Sequence, residues 1–159
     1  MPLRWSDFSV PSTLQLAPLV ATLLEPVRCL QLQAELQLGL QEALVNAVRH
    51  GNGCDPRKSL RIRRIETPFW LIWQVQDQGA GVPVSCRQPC LPEQLDATGG
   101  RGLFLMHHCF DDIRWSSQGN RVQLAVRRRR QTSLFSARGS GSRDRKSTRL
   151  NSSHTVISY

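Results

Sequence analysis

Three polar, glycine-bearing stretches set into an otherwise apolar pattern restrict this chain more than any bulk property does. They are Glu42-Ala-Leu-Val-Asn46-Ala-Val-Arg-His50-Gly51-Asn52, then Asp77-Gln-Gly79-Ala-Gly81, then Gly99-Gly100-Arg101-Gly102-Leu103. Glu42, Asn46 and His50 recur at steps of four, which stacks them on one face of a helix. Asp77 follows the most apolar run of the chain, residues 69–75, and is followed by two glycines. Those glycines let the backbone approach a flat ligand closely. The third stretch leads into Leu103, Phe104, Leu105 and Met106, so a helix opening there would aim successive backbone N–H groups at an anion.

Taken singly, each stretch has a plainer reading: a solvated helix stripe, a strand-to-loop turn, a flexible helix cap. Taken together they supply a carboxylate, a side-chain amide, a second carboxylate on a glycine turn and a phosphate cradle. A nucleotide–magnesium site requires all of these. The Walker pattern and the Rossmann fingerprint are both absent, so the cradle belongs to another nucleotide fold.

The rest of the pattern predicts the frame. Residues 3–10 alternate as a strand, and Ser12-Thr13 offers an N-cap for a first helix through Leu14, Leu16, Leu19, Val20, Leu23 and Leu24. Pro26 ends or kinks it. A longer helix is expected over 31–50, with Leu32, Leu36, Leu40, Ala43, Leu44, Ala47 and Val48 on its apolar face, and Gly51-Asn-Gly53 stops it. Residues 58–66 alternate basic and apolar, as an antiparallel strand with one wet face does. Residues 69–75 read as a central strand that delivers Asp77. Residues 83–98 read as an irregular loop or lid. Gly102 opens a short helix, and 113–115 with 121–126 close a hairpin across Gln118-Gly119-Asn120. The order β-α-α-β-β-loop-α-β-β predicts an α+β two-layer sandwich: a mixed, mostly antiparallel sheet with helices on one face.

Charge divides the chain. Residues 1–126 hold 12 Lys/Arg and 11 Asp/Glu, whereas 127–159 hold 9 Lys/Arg and 1 Asp. The formal excess of +9 therefore sits in the tail. Past Gln131 the apolar pattern fails, and the final residues from Arg145 resemble vector or adapter read-through. Residues 1–130 are expected to form the domain, and 131–159 a disordered basic tail of non-native origin. Arg127 to Arg130 and the basic strand 58–64 come with no aromatic platform or recognition helix, so nucleic acid is not an expected partner. No apolar run approaches the roughly 20 residues of a membrane span, and the N-terminus lacks a signal-peptide layout. These features point to the cytoplasm. Five cysteines without a signal peptide read as free thiols, and Cys86-x3-Cys90 with His107, His108 and Cys109 matches no common zinc spacing.

In order and spacing, the three stretches resemble those of the GHKL (Bergerat-fold) ATPases of gyrase, chaperone and histidine-kinase type. Within that group the His50-Gly51 ending is similar to the anti-sigma-factor serine kinase branch. The resemblance covers about residues 8–128. It implies that Asn46 coordinates Mg²⁺ and that Glu42 is the catalytic base. It implies that Asp77 binds the adenine amine of ATP in a pocket shaped by Gly79 and Gly81. His50 and Gly51 close the first box, and Gly99, Gly100, Arg101, Gly102 and Leu103 form the phosphate-binding loop.

The function implied is an ATP-dependent protein serine/threonine kinase that phosphorylates an antagonist (anti-anti-sigma) protein and sequesters a sigma factor, with a homodimer as an open option. At this length, neither the phosphoacceptor domain of a histidine kinase nor the transducer domain of a gyrase is expected within the 159 residues. Two alternatives stay open: an ATP-binding regulatory module without turnover, and the ATP-binding fragment of a histidine kinase.

Overall fold

The computed structural model describes residues 3–88 and 100–128. The expected tail 131–159, Cys90 and Gly99 lie outside them. Along the chain come β1 (Arg4–Pro11), α1 (Ala17–Leu24), α2 (Leu30–Asn46), a π-helical turn (Ala47–Gly51), β2 (Ser59–Glu66) and β3 (Trp70–Gln76). A single 3₁₀ turn (Val84–Cys86), α3 (Gly100–Cys109), β4 (Asp112–Trp115) and β5 (Arg121–Arg127) follow. The strands form one sheet in the order β1-β2-β3-β5-β4. Every described pairing is antiparallel.

Two periodicities build the core. On α2, Leu32, Leu36, Leu40 and Leu44 fall every fourth residue and all are fully buried. On the sheet, alternation sends Leu60 and Ile62 of β2, Leu71, Trp73 and Val75 of β3, and Val122, Leu124 and Val126 of β5 into the same cluster. Their neighbours, such as Arg63, Gln74 and Gln123, register with one another on the opposite face. One sheet face thus carries the helices and the other does not, the two-layer α+β sandwich expected from the pattern. Burying one such Leu side chain contributes about 1.5–3 kcal/mol.

Trp73 ties the layers together. It is fully buried, its indole N–H donates to the Leu23 carbonyl at 3.0 Å, and its ring meets Phe110 edge-on with centroids 6.0 Å apart. The helix–helix seam is equally close. A Cβ on Gly39 of α2 would stand 2.6 Å from Phe110 Cε2 and 2.8 Å from Cys109 Cβ.

Two expectations about helix ends need correction. The first helix starts at Ala17, not at a Ser12-Thr13 cap. Ser12 is buried and its hydroxyl is engaged by Asn52, while Thr13 Oγ1 accepts the Gln15 N–H. Pro18 instead occupies the first helical turn, where its missing N–H leaves no intrahelical bond unmade. The second helix keeps its α-helical bonds only to Asn46 and then widens into the π turn, closed by Asn52 N–H to Ala47 O at 2.8 Å. Of the irregular stretch expected over 83–98, residues 83–88 are described. No helix among the described residues is long and apolar enough to cross a membrane.

Candidate nucleotide site

The end of α2, its π turn, the start of α3 and the ends of the central strands enclose a cavity of about 370 Å³, within the range of small-molecule sites. Its floor is a row across three strands. Val75 of β3 registers with Val122 of β5, and Val122 with Trp115 of β4. All three line the cavity, giving an apolar bed of the kind a heterocyclic base requires.

Asp77 stands just past β3 at the edge of that bed. Its backbone N–H donates to Asn120 O at 3.0 Å, and its Oδ1 accepts the Gly79 N–H at 2.7 Å. Burial pushes its carboxyl above the usual carboxylate range, partly offset by the Gly79 N–H and the Lys58 charge. This half-buried carboxylate thus lines the cavity with one oxygen already held.

Gly51 and Gly79 press directly on this group. A Cβ on Gly51 would overlap the Asp77 carboxyl, and one on Gly79 would overlap the Gly51 carbonyl. Gly81 has φ +91° and its Cβ would overlap Gln118 O, so the backbone conformation and the crowding both call for glycine. His50 lines the cavity beside them.

The opposite end is built from α2 and α3. Glu42 and Asn46, one turn apart, are half-buried and face the first turn of α3. A Cβ on Gly102 would stand 2.7 Å from Glu42 Oε2 and 3.3 Å from Asn46 Nδ2. Glycine therefore leaves a small space bounded by a carboxylate, an amide and the N-terminal turn of a helix. Gly100 begins α3, Leu103 lines the cavity, and Arg101 is exposed.

The structure thus gathers Asn46, His50, Gly51, Asp77, Gly81 and Leu103 around one cavity, with Gly79 behind Asp77 and Glu42 beside Gly102. It does not bring the Arg101 side chain into the cavity lining, and Gly99 lies outside the described residues.

Sequence reasoning overlooked two supports. Arg87, in the stretch read as a loop, donates to Val82 O at 2.9 Å, Ser116 O at 3.2 Å and Ser117 O at 3.0 Å. It fastens the segment after Gly81 to the β4–β5 hairpin. Asn52, read only as part of a helix stop, is buried. A Gly-Asn-Gly sequence carries no signal for that burial, because it reads the same when the asparagine is solvated.

A search of curated proteins finds no match to this chain. A family model for the histidine kinase-like ATPase domain matches residues 14–126, which include the three polar stretches and the sandwich from α1 to all but the last residue of β5. The chain belongs to the histidine kinase-like ATPase family.

Proposed function

We propose that this protein is an ATP-dependent protein serine/threonine kinase of the anti-sigma-factor kind. It would bind ATP with Mg²⁺ in the cytoplasm, phosphorylate a serine of a small antagonist protein, and sequester a sigma factor. The observation that carries the reading is that Asn46 and Asp77 line one cavity, with Glu42 and Gly102 packed together beside Asn46. The His50-Gly51 ending of the first stretch supports the serine kinase branch over its relatives.

The residues present suit the cation. Mg²⁺ keeps several waters and takes few protein ligands besides phosphate oxygens. The side-chain amide of Asn46, which lines the cavity, would supply one oxygen. When bound, the cation neutralises phosphate charge. Asp77 would accept a hydrogen bond from the exocyclic amine of adenine on the Val75–Val122–Trp115 bed. The α3 N-terminus would face the phosphates. Glu42 would take the proton of the serine hydroxyl as its oxygen bonds to the γ-phosphorus. The bond from that phosphorus to the β–γ bridging oxygen breaks, and ADP leaves with the electron pair.

A base of this kind contributes roughly 10²–10⁴-fold to rate. The test is transfer of labelled phosphate from ATP to antagonist proteins, with ATP affinity measured in parallel. Loss of transfer in Glu42→Ala with affinity retained supports the kinase. Nucleotide binding without transfer to any antagonist supports a regulatory module instead.

A further inference from the structure

We propose that Asn52 is a positioning residue for Asp77, and thereby sets the preference of the cavity for a base carrying an exocyclic amine. The inference rests on the nucleotide reading above and adds a residue to it.

Asn52 is 1% exposed, which is unusual for an asparagine between two glycines unless its amide is fully used. It is fully used. Its Nδ2 donates to Ser12 Oγ at 3.2 Å and to Ser59 O at 3.1 Å. Its Oδ1 accepts the backbone N–H of Gln78 at 2.8 Å. Both amide donors and the acceptor are thus engaged. Ser59 N–H in turn donates to Gln78 Oε1 at 2.7 Å. Asn52, Ser59 and Gln78 therefore close a ring of three hydrogen bonds, and Gln78 is held at both its backbone and its side chain.

The ring sits where the cavity is tightest. Gln78 is covalently next to Asp77, and Asn52 is covalently next to Gly51, the residue that abuts the Asp77 carboxyl. Asn52 also closes the π turn through its own N–H to Ala47 O. One side chain thus holds together the two backbones whose close approach fixes the carboxylate. With the amide removed, the Gln78 N–H loses its acceptor, the π turn and the Asp77 turn are free to part, and the carboxylate no longer has a single position. The phosphate end, built from α2 and α3, does not depend on this link.

The consequence is selective. Asn52→Ala should weaken ATP binding on the order of tenfold, the scale of one buried hydrogen-bonded link. It should leave the affinity for purine riboside triphosphate, which lacks the 6-amino group, near the wild-type value. Ser12→Ala removes one partner of Asn52 but not the bond to Gln78, so it should lower stability and keep the wild-type ratio of ATP to analogue affinity.

Calorimetric titration of wild type, Asn52→Ala and Ser12→Ala with both nucleotides reads this out. Should Asn52→Ala not fold, Asn52→Ser, whose hydroxyl is too short to hold Gln78, takes its place. Collapse of the ratio in the Asn52 variant alone supports the proposal. A wild-type ratio in a folded Asn52 variant, or equal collapse in Ser12→Ala, overturns it. Wild type binding neither nucleotide overturns the nucleotide reading and this inference together.

Discussion

Gly102 of α3 and Glu42 of α2 meet so closely that a single added methyl group would stand 2.7 Å from Glu42 Oε2. The obstructing atom is the far end of a flexible side chain, so the carboxylate can swing away at little energetic cost. Alanine is also a better helix former than glycine by about 1 kcal/mol. Gly102→Ala should therefore melt at or above the wild-type temperature while losing at least roughly tenfold in phosphate transfer, since the displaced carboxylate is the base assigned above. Full activity in this variant would count against any role for the space between α2 and α3.

Gly39→Ala makes the same chemical change in the same kind of element with the opposite stability effect. Here the added methyl meets Phe110 Cε2 at 2.6 Å and Cys109 Cβ at 2.8 Å, and Phe110 is pinned against Trp73. Nothing can move aside cheaply. Overpacking of this kind costs about 1–3 kcal/mol, more than the helix propensity gain. Denaturant unfolding should show Gly39→Ala less stable than wild type. Equal midpoints would mean that the α2–α3 seam is looser than the packing shows.

These two glycines also show where sequence reading stops. Both sit in stretches whose helical character was legible, the first through the leucines at 32, 36, 40 and 44, the second through the apolar run after Gly102. The α+β sandwich was legible too, because alternation along 58–66 and 69–75 marks one buried and one open face, and the three helical segments need a single apolar bed. What period and propensity cannot report is which atoms of another element stand opposite a residue. Gly39 gives no sign of Phe110, Arg87 reads as one more loop cation, and Asn52 reads as turn punctuation. The π turn at Ala47–Gly51 is a one-residue slip in hydrogen bonding with no compositional mark. Of the candidate site, the residue types were legible from spacing. The contacts that hold them, such as Gly51 against Asp77, belong to tertiary structure alone.

The raised pKa of Asp77 gives a pH-dependent prediction. Burial is its main cause, so the native state holds the Asp77 proton more tightly than the unfolded chain does. The stability linked to that proton is fully present below the unfolded pKa and is lost as pH rises through the folded pKa. At neutral pH the ionised carboxylate therefore costs the ligand-free fold. Asp77→Asn keeps an acceptor for the Gly79 N–H and removes the charge. It should melt at or slightly above wild type at pH 7, with the difference closing as pH falls through the folded pKa. ATP affinity should move the other way, falling roughly 10- to 100-fold, because a hydrogen bond to a charged acceptor is worth about 1.5–3 kcal/mol. Thermal melts across pH with and without ATP test both halves. A variant that binds ATP as tightly as wild type would remove Asp77 from the base-recognition role.

Arg87 supplies the last prediction. Its planar guanidinium reaches the carbonyls of Val82, Ser116 and Ser117 at once, a task for a rigid fork of donors that a lysine ammonium cannot span. Val82, one of the three acceptors, and Pro83 line the cavity, and Gly81, just before them, is packed against Gln118. Releasing the clamp lets one wall of the cavity move and leaves Glu42, Asn46 and Asp77 in place. Arg87→Ala and Arg87→Lys should both weaken ATP binding, with the rate at saturating ATP close to wild type. The stability loss should be about 1 kcal/mol, near the low end for such bonds, because partly exposed carbonyls can turn to water. Steady-state kinetics separate the outcomes: a rise in KM with kcat retained fits a wall held by Arg87, whereas a fall in kcat with KM unchanged would show that the clamp acts on the reacting end of the site instead.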